Sequence, residues 1–264
     1  GGIAAEYVFR APKDGYTILC APESLRILAV MGYHPTIIGK DWQPLIAASF
    51  DGVISVPANS PIKDYKELVE KARNAPNTIK LAASSPGTVW HIQSQLIAKK
   101  FNVPLQFIPY QGSHPSQTAA LSGEVEVVHT GIGEQAELIR SGKLRPLTVV
   151  SDKPYELKGF GKIPPITDVL PELKDYLPMS CWVAYVLPTG VPDEIMQKIE
   201  KNYLEAVNSE EFHKFIKNLE GEVIGYNAKE SLEFGKKETE KVSWLVYELG
   251  ITSKSPSEFN ISKP

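Results

Sequence analysis

Short apolar runs alternate with amphipathic stretches along the first 150 residues, which restricts the chain to an α/β architecture with mostly parallel strands. The strand-like runs are Tyr16 to Cys20, Leu45 to Ala48, Val53 to Val56, Ile79 to Ala83, Leu105 to Ile108, Val125 to His129 and Leu144 to Val150. Between them, Pro61 to Arg73 places Tyr65, Leu68, Val69 and Ala72 on one helical face, and Val89 to Phe101 reads as a second helix. Ser116 to Leu121 and Glu134 to Arg140 read as short helices stopped by Gly123 and Gly142. A stretch holding Pro154, Pro164, Pro165, Pro171 and Pro178 reads as loop before the apolar strand Cys181 to Leu187. The last third is helical. Ile195, Ile199 and Tyr203 mark one helix, and Phe212, Phe215, Ile216 and Leu219 mark the next. Asn227 and Glu230 form a capping-box pattern ahead of the stripe Leu232, Gly235, Thr239, Val242, Val246 and Leu249, which suits packing on a sheet. The tail Thr252 to Pro264 is polar and is expected to hug the surface or fray.

Several functional classes are disfavoured by composition. With 264 residues and 42% hydrophobic content, the chain can bury the core of one large or two modest domains. A net charge of −3 and no basic run longer than Lys99-Lys100 or Lys236-Lys237 argue against a nucleic-acid partner. No run approaches the ~18 apolar residues of a membrane span. The only cysteines are Cys20 and Cys181, without a C-x-x-C or a nearby histidine at ligand spacing, so no metal and no cofactor is expected. Two small buried hydrophobes are favoured there over a disulfide.

The junction Ser84-Ser85-Pro86-Gly87-Thr88 is where a strand ends and a helix begins, and an anion could bind there. Ser85 suits the N-cap and Pro86 the first helical position, leaving the amides of Gly87, Thr88 and Val89 to point outward. A water-filled, ordinary helix start is the plainer alternative. Gly112 would let a ligand approach the backbone after the strand ending near Ile108. Thr130, Gly131 and Ile132 form a third loop at a strand's carboxyl end, where open α/β sheets place ligands.

Rival chemistries have weaker support. Gly131-Ile132-Gly133-Glu134-Gln135-Ala136 fits G-x-G-x-x-A, but no acidic residue about 20 positions on clearly ends a second strand, Asp152 lying in a loop-like context. Ser113 beside His114 suggests a hydrolase pair, yet adjacent residues seldom make that geometry and no G-x-S-x-G elbow appears. Glu124 and Glu126 share a strand face and read as a solvated edge.

Eight short motifs occur in an order that resembles the Bug-type (TctC-like) solute-binding receptors of tripartite tricarboxylate transporters. They are Gly1-Gly2 with Ala4-Ala5; Ala11 to Thr17; Ala83 to Thr88 with His91; Pro109-Tyr110-Gln111-Gly112; Leu121 to Val125; Ser141 to Arg145; Ile163 to Asp168; and Leu187 to Pro192. The resemblance implies a two-lobed periplasmic binding protein, type II-like, with an interlobe cleft. Residues 1–83 and 186–264 would form the first lobe, and residues 84–185 the second. It implies a small mono- or dicarboxylate ligand, membrane transporter subunits as partners, a periplasmic location with any signal peptide outside this sequence, a monomer, and no enzymatic activity. An α/β enzyme acting on a small anion, or a module feeding a sensor, are the alternatives.

Carried over by position, the ligand-lining residues would be Ser84, Ser85, Gly87, Thr88, His91, Tyr110, Gln111, Gly112, Thr130, Gly131, Ile132 and Trp182. Ser85 departs from the glycine usual in the family. The family's opening strand and Gly-rich, Asp-containing loop have no counterpart here, so the first lobe is expected to be N-terminally incomplete.

Overall fold

The computed structural model describes residues 1–264. In chain order the first elements are α1 (Gly2–Arg10), β1 (Leu19–Pro22), β2 (Trp42–Phe50), β3 (Gly52–Pro57), α2 (Tyr65–Asn74), β4 (Lys80–Ala83), α3 (Val89–Lys100), β5 (Gln106–Pro109) and α4 (Ser113–Leu121). They are followed by β6 (Val127–Gly131), α5 (Ile132–Arg140), β7 (Leu144–Val149), β8 (Tyr155–Leu157), β9 (Gly161–Ile163), β10 (Cys181–Pro188), α6 (Asp193–Val207), α7 (Glu210–Asn218), β11 (Glu222–Val223) and α8 (Ala228–Glu248).

The chain divides into two compact units, residues 1–49 with 182–264, and residues 50–181. The divisions fall at 49/50 and 181/182, against the expected 83/84 and 185/186. Residues 50–83 join the second unit because β3 pairs along its length with β6 and β7.

In the first unit, a four-stranded sheet runs in the order β1-β10-β2-β11. β1 pairs antiparallel with β10, and β11 antiparallel with β2, so parallel pairing does not dominate here as expected. Cys20 lies opposite Tyr185, four residues beyond Cys181 along β10, and the two cysteines form no disulfide; Cys20 is exposed, which overturns its reading as a buried hydrophobe. Of the stripe read from the sequence, Gly235, Thr239, Val242 and Val246 on α8 and Leu249 just beyond it are buried, while Leu232 is half-buried. The α8 capping box is formed, with the Glu230 N–H donating to Asn227 Oδ1 at 2.9 Å and the Asn227 N–H donating to Glu230 Oε2 at 3.0 Å. The tail docks: the Trp244 indole donates to the carbonyls of Ile261 and Ser262, and Thr252 donates to that of Val30. On α7, by contrast, Phe215 and Leu219 are exposed although the spacing marked them as packed.

In the second unit, a five-stranded sheet runs in the order β5-β4-β6-β3-β7. β4 is parallel to β5 and β6, whereas β3 is antiparallel to both β6 and β7. α2 begins at an Asp64 N-cap that accepts from the Glu67 N–H, and buries Tyr65, Leu68, Val69 and Ala72 as its periodicity requires. The proline-rich stretch is more ordered than its composition suggested, since it contains the β8–β9 hairpin and two short 3-10 turns.

Candidate functional site

The register of the second unit brings the expected loops to one sheet edge. Ala83 pairs with both Pro109 and His129, so β4, β5 and β6 end side by side, with Ser84, Tyr110 and Thr130 next along each chain. β3 runs the other way, and its first residue Gly52 pairs with Gly131 at the same edge. α3, α4 and α5 all start here. Three positive helix ends therefore converge on the carboxyl edge of a parallel set, where an anion is best accommodated.

Local hydrogen bonding decides which donors remain open. α3 begins one turn later than expected: its N-cap is Thr88, and Ser85 and Pro86 lie in the preceding turn. The cause is Gly87, whose φ of 87° no helix can contain. That turn is closed by the Thr88 N–H and hydroxyl, which donate to the Ser85 carbonyl at 3.2 and 2.8 Å. The Gly87 N–H donates to His91 Nδ1 at 3.2 Å. The amides of Gly87 and Thr88 are thus held inside the turn instead of pointing outward. The next N–H groups, of Trp90 and His91 in the first turn of the helix, have no acceptor in the chain. Ser84, only 8% exposed, also keeps an unengaged hydroxyl, whereas Ser85 donates to the Tyr110 carbonyl at 3.3 Å.

His91 is neutral. Burial, with Lys99 adding to it, pushes its pKa down to about 4, and the ring lies 4.5 Å from that of Phe107. Because Nδ1 accepts from Gly87, the ring proton resides on Nε2.

The second loop is partly open. Gly112 has a φ of 113° with open space where a side chain would stand, and Gln111 is exposed. The Gly112 N–H turns back to the Tyr110 carbonyl at 2.9 Å. Tyr110 itself points away from the loop as a donor, since its hydroxyl is held by Glu124 Oε1 at 2.7 Å. Burial and that carboxylate raise its pKa to about 12.

The third loop is closed, which corrects three expected ligand contacts. Thr130 is fully buried, and its hydroxyl oxygen accepts from the side-chain amides of Gln117 and Gln135 at 3.2 and 3.1 Å. The Gly131 N–H donates to Glu134 Oε2 at 2.6 Å, and the Ile132 N–H to the Asp51 carbonyl at 2.9 Å. The Ile132 side chain is core. Trp182 is also corrected: it belongs to the first unit, is 2% exposed, and packs edge-on against Phe234.

Two features were missed in the sequence. Glu134 stands three residues after the N-cap Gly131, the spacing by which a glutamate reaches back over a helix start, and that signal was present. The other is a buried group around Gly52, where Trp90, Gln93 and His129 meet. His129 is pushed down to about 3 by burial alone, and its Nδ1 lies 2.9 Å from Ser94 Oγ. Since the Ser94 hydroxyl donates to the Trp90 carbonyl, it accepts from Nδ1–H, leaving Nε2 without a partner.

No Lys or Arg occurs in residues 84–88, 110–112 or 130–132. These three loops offer an anion only neutral donors.

The profile described as TctC, tripartite tricarboxylate transporter family receptor, matches residues 1–251. A UPF0065 protein in the tcbD-tcbE intergenic region of Pseudomonas sp. (strain P51) is 27% identical over 255 residues, spanning 94% of this chain and 73% of that relative. Among solved structures, R. palustris Rpa4515 with adipate superposes with a TM-score of 0.80 at 22% identity, covering 96% of this chain and 84% of that one. MatC from Rhodopseudomonas palustris with bound malate gives 0.78 at 18%, covering 93% and 84%. At these identities the likeness shows the fold, that of a two-lobed, type II-like periplasmic binding protein.

Proposed function

The chain belongs to the tripartite tricarboxylate transporter receptor family, and from that premise we propose that it is a periplasmic solute-binding protein for a small carboxylate. It is a binding protein, not an enzyme. Acting as a single chain, it captures the acid at the carboxyl edge of its second unit and delivers it to membrane subunits of the transporter. One observation carries the reading: the start of α3, with two acceptor-free amides at Trp90 and His91 and the Ser84 hydroxyl, lies at a sheet edge whose three loops carry no Lys or Arg. Neutral donors hold an anion without the desolvation cost of a buried lysine or arginine, and they let it go again. Support from elsewhere is the adipate and the malate carried by two structural neighbours.

The test is titration calorimetry against a panel of small organic acids, with Ser84→Ala as the variant. A hydrogen bond to a charged group is worth about 1.5–3 kcal/mol, so the loss of affinity should be roughly tenfold or more. Equal affinity in the variant would remove Ser84 from the site, and no acid bound by either form would refute the carboxylate reading.

A further inference from the structure

The four indoles of the chain are not in the same situation. Those of Trp42 and Trp182 have Nε1 sealed in the interior without a partner, and that of Trp244 donates to the carbonyls of Ile261 and Ser262. The Trp90 indole N–H has no acceptor in the chain either, yet it keeps contact with solvent although the residue is only 5% exposed. Its six-membered ring rests on bare backbone. Gly52 and Gly131 pair across β3 and β6 at the edge of the site, and a methyl group on either would stand 2.7 Å from Trp90 Cζ3 or 3.3 Å from Cζ2. The glycine pair thus seats the far edge of the ring. The indole nitrogen, bonded to the carbon that carries Cζ2, lies on the Gly131 side of it.

Trp90 is also the second residue of α3, and its own backbone N–H is one of the two acceptor-free amides. A helical side chain leans back toward the helix N-terminus, so the indole is carried toward the same opening as that amide. Covalent geometry keeps the two donors of this one residue about 5 Å apart. A carboxylate with one oxygen about 2.9 Å from the amide therefore has the span to place its other oxygen on the indole. We infer that the Trp90 indole N–H is a ligand-binding donor, taking the second oxygen of the carboxylate whose first oxygen is held by the amides of Trp90 and His91. The inference rests on the carboxylate reading above. It gives the site a further donor that brings no charge, and it gives the Gly52–Gly131 pair a role, that of setting the indole at the mouth of the helix.

The experiment follows the indole N–H resonances of the isotope-labelled chain by proton–nitrogen correlation spectroscopy. The Trp90 signal is the one lost in Trp90→Phe, and equally in a chain with benzothienylalanine in place of Trp90, a residue of the same outline with sulfur where the N–H was. On titration with a small organic acid that calorimetry shows to bind, the Trp90 signal should move downfield and its exchange with water should slow. The signals of Trp42, Trp182 and Trp244 should stay in place, since their indoles are sealed or already held. The benzothienylalanine chain should bind the same acid roughly tenfold more weakly. Its unfolding temperature should be kept, because no hydrogen bond within the chain is lost. A Trp90 signal that stays in place at saturation, or equal affinity in the chain without the indole N–H, overturns this inference and leaves the carboxylate reading standing. If no acid of the panel binds, the carboxylate reading fails and takes this inference with it.

Discussion

Replacing Gly52 by alanine tests the packing behind the site, because two well-known effects predict opposite signs. Where a glycine's backbone suits any residue, alanine stabilises by about 0.4–1 kcal/mol through the unfolded chain. Gly52 starts β3, and its φ is not in the left-handed region, so that gain is available. A methyl group there, however, would stand 2.7 Å from Trp90 Cζ3 and 2.9 Å from both Gln93 Oε1 and His129 Nε2. Ordinary contacts are about 3.5–4.0 Å, so each neighbour must withdraw by roughly 0.6–1 Å. None is free to do so. Gln93 is pinned by its Nε2 on the Met179 carbonyl at 2.5 Å, His129 by Ser94, and Gly52 by the Val150 N–H on its carbonyl. Overpacking of this kind costs about 1–3 kcal/mol, which leaves a net loss of about 1–2 kcal/mol and a drop in melting temperature of roughly 2–8 °C. Thermal and urea unfolding followed by tryptophan fluorescence reads both. A variant as stable as the parent, or more stable, would mean that the space beside Gly52 is not closed by these three side chains.

Two further outcomes follow from the buried polar groups. His91 and His129 have pKa values lowered by burial to about 4 and about 3, so the unfolded chain binds more protons than the native one below pH 6.5. Their stabilising contribution is complete above pH 6.5 and declines as pH falls toward 4, with a slope of up to about 1 kcal/mol per pH unit for each histidine; a flat unfolding free energy between pH 6.5 and 4.5 would contradict it. Thr130→Val removes the oxygen that accepts from Gln117 and Gln135, so it should destabilise by about 1–2 kcal/mol without altering carboxylate affinity. Weakened binding at unchanged stability would restore Thr130 to the site.

The fold was readable where periodicity and local stop signals agreed. α2 buries the residues its spacing marks, α8 buries all but the half-buried Leu232, and the Asn227/Glu230 box closes as its pattern requires. Strand direction was not readable, because alternation of strands and helices is shared by parallel sheets and by sheets with reversed strands. β3 runs antiparallel within a sheet whose other core strands are parallel, and nothing in Val53 to Val56 signals it. Nor could the spacing on α7 show which side has a neighbour, so Phe215 and Leu219 satisfied a helical face that the tertiary structure leaves in water.

The site poses a stricter problem, because a donor is useful to a ligand only if the chain has not already bound it. Sequence located the loops that lead into the helices but placed the start of α3 a turn too early, and each amide carries one proton whose acceptor can come from another residue. The Gly87 and Thr88 amides turn inward to His91 and Ser85, and the Ile132 amide is taken by a carbonyl some 80 residues earlier, at Asp51. Of these contacts only that of Glu134, three residues from Gly131, follows a recognised sequence pattern, the capping-box spacing. Openness therefore falls to the positions whose turn geometry exhausts nearby acceptors: the amides of Trp90 and His91, one step beyond a glycine turn that closes on itself. Substituting Gly87 should then disturb the site more than truncating any side chain in that turn, since the positive φ is what stops the helix at Thr88 and leaves those two amides without an acceptor.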